Sequence, residues 1–302
     1  MTTARALWHS SSIRIQLGGL MSAQLQIKDS VISTGGMELR YLELGAGKPV
    51  IFLHGGSLGS SADVFTHNLP AFAAAGFRAI AFDQPGFGLS SIPQDHSVGQ
   101  RRKSVLAFMD ALGLSSAAIV AHSQAGGMAT QIALDQPERV THLAILGTGS
   151  LLPPLEEARE GNEGAAQQRL ERRMATHEPT VEDTRKLLEA NLFHHDLITD
   201  EALAMRHARS KGRNFEAFVA RSALPAVPKD PGKPALWTRL TELRQPLLMI
   251  YGRNDRANAY ERALKLKEMF PKLDVRIAPD CKHLVPWDAQ ALVEDALIPF
   301  LR

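Results

Sequence analysis

The chain has 302 residues, a formal net charge of +2, 44% hydrophobic residues and 22% charged residues, a composition typical of a globular protein with a sizeable core. Lys and Arg are spread along the chain, which excludes a basic nucleic-acid patch or a polybasic membrane segment. No apolar run reaches the roughly 20 residues that cross a bilayer. Cys281 is the only cysteine, so no internal disulfide can form, and we expect a cytoplasmic protein.

The first part of the chain, residues 1–30, is predicted to form an N-terminal extension followed by the first strand. Residues 1–21 contain no acidic residue and lack the continuous apolar run of a secretory signal. We interpret them as a disordered extension, or as residues that precede a true start at Met21.

Short apolar runs alternate with segments of helical spacing along most of the chain. Several runs are apolar throughout, as expected for strands buried on both faces. They are VIFLH (50–54), RAIAF (78–82), AAIVAH (117–122), HLAILG (142–147), PLLMIYG (246–252) and DVRIAP (274–279). Between two of them, Val105, Phe108, Met109 and Leu112 fall at helical spacing before Gly113. This alternation predicts an α/β fold with a mostly parallel central sheet flanked by helices.

Two segments depart from this rhythm. LQIKDSVIS and MELRYLEL alternate polar and apolar residues around Gly35 and Gly36, which predicts an antiparallel hairpin at the sheet edge. Residues 148–236 carry charges and helical patterns but no convincing strand, so we expect a helical lid (cap) there. Residues 31–147 and 237–302 would then form one core domain.

A serine lies where a strand passes directly into a helix. AAIVAH continues into SQAGGMATQIAL, and a nucleophile elbow needs small residues two before and two after its serine. Ala121 and Ala125 stand where glycines are usual around Ser123. The pattern favours Ser123 as a nucleophile; a buried serine in a tight turn is the alternative.

A serine hydroxyl is a weak nucleophile that needs a base held by an acid. Proteins with this elbow carry the three groups in the chain order serine, acid, histidine. Asp255 follows one late strand and His283 follows the next, so we predict a triad of Ser123, Asp255 and His283. Asp83 precedes the serine, and we assign it to a turn.

An acyl-transfer enzyme also needs backbone N–H groups that stabilise an oxyanion. The glycines of FLHGGSLGS (52–60) permit a close backbone approach, and the N–H of Gln124 should be the second donor. A phosphate loop is excluded because no Gly-Lys-Ser/Thr follows. We also find no metal-ligand spacing and expect no cofactor and no metal.

These residues together resemble the α/β-hydrolase fold family from about Ile32 to Arg302. The likeness is greatest to the meta-cleavage product hydrolases, which cut carbon–carbon bonds in ring-opened aromatic compounds. It is carried by FLHGGSLG, AFDQPGFGLS, AHSQAGG, LITDEALAMR, LWTRLTELRQPLLMIYGRND and CKHLVPW. The resemblance implies that Ser123 is the nucleophile, His283 the base and Asp255 the orienting acid, with Gly56 and Gln124 as the oxyanion hole.

The resemblance also implies three substrate-binding residues. Arg206 falls at the place of a lid arginine that contacts the substrate carboxylate, for which a guanidinium fork is suited. His122 and Leu284 stand where the family usually has Asn and Trp beside the reacting group.

The expected function is that of a cofactor-free serine hydrolase acting on a small carboxylate-bearing molecule. The bond cleaved would be a C–C bond beside a ketone or a carboxylic ester. The alternatives are an esterase for carboxylate monoesters only, or a non-hydrolytic fold-mate, either a lyase or a small-molecule receptor. We expect neither nucleic acid nor membrane as a partner, and a homodimer as the default assembly.

Overall fold

A single twisted sheet organises the molecule. The computed structural model describes residues 26–155, 174–224 and 234–302. Among these residues eight strands pair in the order β1-β2-β4-β3-β5-β6-β7-β8. They are β1 (Lys28–Thr34), β2 (Met37–Leu44), β3 (Lys48–Leu53), β4 (Phe77–Phe82), β5 (Ala117–His122), β6 (Val140–Leu146), β7 (Leu247–Gly252) and β8 (Asp274–Ala278). The β1–β2 and β2–β4 pairs are antiparallel and the other neighbours are parallel, so the predicted mostly parallel sheet is confirmed.

The strand predictions agree closely with the structure. Each of the six apolar runs is a strand, and the bounds differ by at most two residues at either end. The hairpin at the sheet edge is also present. Gly35 and Gly36 have φ values of 58° and 75°, the left-handed conformations that a two-residue turn between antiparallel strands requires.

The described α-helices pack on both faces of the sheet or lie in the segment between β6 and β7. They are α1 (Leu69–Ala74), α2 (Val98–Ala111), α3 (Gln124–Asp135), α4 (Val181–Asn191), α5 (Asp200–Ala208), α6 (Arg213–Ser222), α7 (Ala259–Met269), α8 (Val285–Asp288) and α9 (Gln290–Phe300). Short 3-10 helices span Ala62–Phe65, Pro137–Arg139, Gly149–Leu151, His195–Leu197 and Leu236–Glu242. None of the described helices is both long and apolar enough to span a bilayer.

The core lies on both sides of the sheet, which explains why the strands are apolar throughout. Val50 and Phe52 belong to the apolar cluster on one face, whereas Ile51 and Leu53 belong to the cluster on the other. Successive side chains of a strand point to opposite faces, so both sets must be apolar when helices cover both faces. Burial of each such side chain contributes about 1.5–3 kcal/mol.

The segment between β6 and β7 is helical where the structure describes it. Leu188 of α4 and Leu203 of α5 join the same apolar cluster as Phe52, and Arg209 Nε lies 3.1 Å from Asp63 Oδ2. Residues 156–173 and 225–233 of the predicted lid lie outside the described residues, as do residues 1–25 of the predicted extension. The function of this segment as a lid, and the domain bounds, stay predictions.

Candidate active site

Ser123 occupies a strained turn between β5 and α3. Its φ and ψ are 57° and −127°, a conformation that costs a residue with a Cβ about 1–3 kcal/mol. Two hydrogen bonds to the end of β6 hold it there: the Ser123 N–H donates to the Leu146 carbonyl at 2.8 Å, and Thr148 Oγ1 donates to the Ser123 carbonyl at 2.7 Å. A Cβ on Gly126 would overlap Thr148 Oγ1, so this glycine lets α3 approach β6 closely.

The three predicted triad residues form one hydrogen-bonded chain. The distance between Ser123 Oγ and His283 Nε2 is 2.8 Å, and His283 Nδ1 lies 3.0 and 3.1 Å from the two carboxylate oxygens of Asp255. A carboxylate can only accept, so Nδ1 carries the proton and Nε2 is free to accept from the serine hydroxyl. Ser123 follows β5, Asp255 follows β7 and His283 follows β8, so parallel pairing brings them to one edge of the sheet.

Asp255 is nearly inaccessible to solvent, with a side chain 3% exposed. Burial raises the pKa of Asp255, but His283 and Arg256 offset this, and its pKa lies below the usual range. The Arg256 backbone N–H also donates to Asp255 Oδ1 at 2.7 Å. The carboxylate is therefore ionised at neutral pH and can both orient a histidine and stabilise its cationic form.

Two backbone donors lie beside the serine. Gly56 and Gln124 line the same cavity as Ser123 and His283. Gln124 is the first residue of α3, where a backbone N–H has no acceptor within its own helix. The predicted oxyanion residues are thus brought together with the triad.

His54 fixes the peptide that precedes Gly56. Its Nδ1 lies 2.8 Å from the Gly55 carbonyl, and its Nε2 accepts from the Gln84 N–H at 3.0 Å, so the proton is on Nδ1. In a trans peptide the C=O and the next N–H point in opposite directions, so this bond turns the Gly56 N–H away from His54. Burial is the main cause that lowers the pKa of His54 to about 3, and three nearby arginines also lower it. The ring is therefore neutral at physiological pH.

Gly55 brings the loop backbone against the nucleophile. A Cβ at this position would lie 2.9 Å from Ser123 Cβ and 3.4 Å from Ser123 Oγ. Real Cβ atoms do not approach that closely, so only glycine leaves the serine undisturbed.

His122 lies behind the triad rather than in the cavity. Its ring is 4% exposed, and Nε2 donates to the His283 carbonyl at 2.8 Å. Burial, and then the adjacent His283, lower the pKa of His122 to about 3, so it is neutral at physiological pH. The structure places this predicted substrate-binding residue in contact with the backbone of His283.

Arg206 and Leu284 lie behind residues of the site rather than in its lining. Arg206 is 8% exposed on α5, and its Nη2 donates to Ser57 Oγ at 2.8 Å; Ser57 itself lines the cavity. Leu284 is 6% exposed in the apolar cluster, and its N–H donates to the Asn191 carbonyl at 2.9 Å. Neither is among the residues that line the cavity, so their roles toward a substrate stay predictions.

The cavity at the triad, here called the triad cavity, has a volume of about 400 Å³, within the size range of small-molecule sites. It is lined by Gly56, Ser57, Ser123, Gln124, Gly147, Thr148, Gly149, Ser150, Asp255, Arg256, Ala257, Ala259, Arg262 and His283. Within residues 26–155, 174–224 and 234–302, no group of His, Cys, Asp and Glu side chains could hold a metal ion.

A family profile described as the α/β-hydrolase fold matches residues 48–290, most of the chain. The chain belongs to the α/β-hydrolase family. This hydrolase is also similar to curated enzymes over most of its length. A 2-hydroxy-6-oxononadienedioate/2-hydroxy-6-oxononatrienedioate hydrolase of Burkholderia vietnamiensis is 33% identical over 275 residues, which are 88% of this chain and 92% of that protein.

Two further relatives point to the same group. A 2-hydroxy-6-oxo-6-phenylhexa-2,4-dienoate hydrolase of Burkholderia cepacia is 32% identical over 258 residues, 82% of this chain and 85% of that protein. A solved meta-cleavage product hydrolase from Pseudomonas fluorescens superimposes with a TM-score of 0.73 at 26% identity, over 90% of this chain and 96% of that one. The predicted likeness of this hydrolase to the meta-cleavage product hydrolases is confirmed.

Three residues that shape the site of this hydrolase were missed at the level of sequence. His54 and Gly55 lie inside FLHGGSLGS, where the glycines indicate a close backbone approach but not which side chain orients the N–H donor. Thr148 lies just after HLAILG, and no local pattern indicates that its hydroxyl binds the elbow. His54 is fixed through Gln84, and Thr148 binds the carbonyl of Ser123; contacts between such distant positions leave no periodic signal.

Proposed function

We propose that this hydrolase cleaves the carbon–carbon bond beside the ketone of a ring-opened aromatic compound that carries a carboxylate, with Ser123 as nucleophile. The observation that carries the proposal is the 2.8 Å contact between Ser123 Oγ and His283 Nε2, with His283 held in turn by Asp255. Relatives that match more than four-fifths of the chain are named for hydrolysis of such dienoates, which supports this substrate class.

The first step is prepared within the substrate, where the proton of the dienol oxygen moves to the carbon at the far end of the dienol and turns the enol into a second keto group. His283 Nε2 then takes the Ser123 proton while Oγ bonds to the carbon of the other ketone, the one beside the bond to be cleaved. Negative charge develops on the ketone oxygen, where the N–H groups of Gly56 and Gln124 stabilise it. Asp255 stabilises the imidazolium that forms.

In the second step the tetrahedral intermediate breaks its carbon–carbon bond. The electron pair moves into the conjugated fragment, and that fragment receives the proton from His283. Water, deprotonated by His283, next hydrolyses the ester on Ser123 and releases a carboxylic acid. The same geometry also permits hydration of the ketone by water with Ser123 assisting. Either route consumes one water, and no step draws on a cofactor.

Three residues complete the proposal. Arg206 is proposed to hold the substrate carboxylate, since its buried guanidinium reaches the triad cavity through Ser57. His122 and Leu284 are proposed to shape the site indirectly, through the backbone of His283 and through the packing of the loop behind it. Cytoplasmic location and a homodimer stay predictions.

A second candidate function is hydrolysis of carboxylate-bearing monoesters only. The observation that favours it is the placement of His122, whose ring donates to the His283 carbonyl and does not line the triad cavity. A polar group beside a dienol is therefore not provided by this residue. Ester hydrolysis needs only the triad and the oxyanion donors proposed above.

The deciding experiment is a paired turnover assay on the wild type and Ser123→Ala. One substrate is a ring-cleavage dienoate, followed by loss of its visible absorbance, and the other is a carboxylate-bearing aromatic monoester. We expect the wild type to cleave the dienoate and Ser123→Ala to lose this activity. Ser33→Ala, which changes an exposed serine of β1, is the matched control and should retain it.

Each other outcome has a defined meaning. Cleavage of the ester alone would replace the first proposal with the second. Turnover retained by a folded Ser123→Ala would exclude Ser123 as nucleophile. Failure of both substrates with the wild type would overturn both proposals and favour a lyase or a receptor.

A further inference from the structure

A second cavity lies against the triad cavity. Its volume is about 480 Å³, and Gly56 and Gln124 line both. We call it the arginine cavity, after Arg101 and Arg221 in its wall. A ketone whose oxygen lies between the two shared residues could direct one substituent into each cavity, because a ketone carbon has two carbon neighbours on opposite sides.

The two arginines are held in place by neighbouring groups. Arg101 of α2 is 3% exposed, and its Nη2 donates to Gln124 Oε1 at 2.9 Å. Arg221 of α6 is partly buried, and its Nη1 donates to the Gly86 carbonyl at 2.7 Å. Both guanidiniums lie over the ring of Phe87, with Cζ at 5.6 Å and 3.8 Å from the ring centroid. This ring positions both cations at the same wall.

The described residues place no carboxylate against either guanidinium. Burial lowers the pKa of Arg101 to about 10; burial, and then the neighbouring Arg101, lower the pKa of Arg221 to about 9. Both remain cationic at neutral pH, and each disfavours the charge of the other. Arg101 Nε is buried and has no hydrogen-bond partner among the described residues. Two uncompensated cations with a spare donor are complementary to an anion.

The rest of the cavity wall suits a short carbon chain that ends in that anion. Phe218 of α6 and Leu224 provide apolar surface in the same wall. Ser97 and Val98, at the N-terminus of α2, also line the cavity, and the partial positive charge of a helix N-terminus adds to the field of the arginines.

We propose that Arg101 and Arg221 bind a second carboxylate of the substrate, at the end of the chain attached to the ketone. This inference rests on the proposed function, because it assigns the other end of the molecule that is cleaved at Ser123. The guanidinium forks would hold the carboxylate by charge-assisted hydrogen bonds, and the hydrolase would select dicarboxylates over substrates with an apolar end. One relative is named for a dienedioate and another for a phenyl-substituted dienoate, and a carboxylate site in the arginine cavity would favour the first of these substrate classes.

The test compares two substrates that differ at one end only. One is 2-hydroxy-6-oxonona-2,4-dienedioate; the other is the analogue in which the terminal carboxylate is replaced by a methyl group. We expect wild-type kcat/KM to favour the dioate, and Arg221→Met to lower that preference by about 10- to 100-fold, the range for loss of hydrogen bonds to a charged group. Arg221→Lys keeps the positive charge but loses the forked pair of donors. Its preference for the dioate should therefore lie between that of the wild type and that of Arg221→Met.

Arg213→Met is the matched control, because Arg213 lies on the same helix and donates to the Ser90 carbonyl without lining the cavity. It removes one positive charge and should leave the preference unchanged. Equal wild-type kcat/KM for the two substrates would overturn the inference. So would an Arg221→Met variant that loses activity equally on both, because that result would assign the arginine a structural role only.

A binding measurement separates this inference from the proposed function. Cleavage beside the ketone of the dioate leaves a four-carbon diacid, so calorimetry would compare succinate with butyrate on the full-length protein. We expect succinate to bind at least about tenfold more tightly, and Arg221→Met to remove the difference. If neither dienoate is turned over but succinate is still preferred, the proposed function fails and the carboxylate site stands. If succinate and butyrate bind equally well, the proposed carboxylate site is ruled out, whether or not the dienoates are turned over.

Discussion

The triad cavity and the arginine cavity meet at Gly56 and Gln124 but are built from different parts of the chain. Ser123 directly follows β5, and Asp255 and His283 lie in the loops after β7 and β8, so the parallel strands bring the three groups to one edge of the sheet. Arg101 and Arg221 come from helices α2 and α6 and are brought together by packing on Phe87. The sheet therefore positions the proposed catalytic residues, and contacts between helices position the two arginines proposed to bind a carboxylate.

The two cavities also differ in charge balance. Asp255 is compensated by His283 and by Arg256, and the neighbouring His122 is neutral. The arginines have no such compensation among the described residues. The charges of the triad are thus balanced before the substrate binds. In the arginine cavity, the carboxylate of a bound substrate would supply the negative charge that the described residues do not place there. Substitutions should consequently affect rate on one side and selectivity on the other.

The largest effect is expected from Asp255→Asn. An amide at this position can hold His283 in the wrong tautomer and cannot stabilise its cation, so kcat should fall by about 10⁴-fold on every substrate. Steady-state kinetics with the dienoate would measure it. Asp274→Asn, at an exposed ion pair with Arg276, is the control and should retain activity. A loss of less than tenfold in Asp255→Asn would mean that the carboxylate does not support the histidine.

Gly55→Ala should have the next largest effect. Its Cβ would lie 2.9 Å from Ser123 Cβ, so either the nucleophile or the loop must move. A displacement of about 1 Å can cost about 100-fold in kcat. The dienedioate preference should survive, because Gly55 does not line the arginine cavity and does not contact Arg101 or Arg221. Gly99→Ala, where a Cβ meets only ordinary contact with Ser97, tests whether the loss is local. Wild-type kcat in Gly55→Ala would contradict the close approach.

Sequence patterns indicate which residues meet at the triad cavity because their signals are local; the catalytic roles of these residues stay predictions. An apolar run identifies the strand, the Ser, Asp or His lies in the turn or loop that follows it, and parallel pairing then brings these loops together. The hairpin at Gly35 and Gly36 was predictable for the same reason, since two adjacent glycines between alternating runs specify a turn.

The arginine cavity could not be predicted in this way. Arg101 and Arg221 lie 120 positions apart in segments of ordinary helical composition, and each alone is typical of a solvated helix surface. The orientation of His122 was equally hidden. Its sequence neighbours suggest a side chain near substrate, but its hydrogen bond runs to a carbonyl 161 positions away. Such placements depend on tertiary packing alone.

His122→Gln is expected to change the pH dependence of stability. The folded pKa of His122 is about 3, below the 6.5 of an unperturbed histidine, so unfolding takes up a proton between these values. Its contribution is fully present above pH ~6.5 and is lost as pH falls toward 3, by up to about 1.4 kcal/mol per pH unit. Glutamine keeps a donor but does not titrate.

Denaturant unfolding would be measured at pH 7 and at pH 5. Between these two pH values, the free energy of unfolding should fall less in His122→Gln than in the wild type. Buried His54 preserves part of the slope in the variant, since its pKa is also about 3. His177→Gln, at an exposed histidine of the segment between β6 and β7, is the control. Identical slopes for the wild type and His122→Gln would contradict the neutral, buried state of His122.

Phe87→Leu should have the smallest effect on selectivity. The ring positions the guanidiniums of Arg101 and Arg221, and loss of a cation–π contact of about 0.5–1 kcal/mol would lower the dienedioate preference by about two- to fivefold. The change should be partial because each arginine keeps its own hydrogen bond, to Gln124 or to the Gly86 carbonyl. Phe72→Leu, a buried aromatic substitution in the apolar cluster that contains Phe52, controls for lost core packing and should leave the preference unchanged. A loss in Phe87→Leu as large as that in Arg221→Met would show that the ring, rather than the hydrogen bonds, determines where the cations lie.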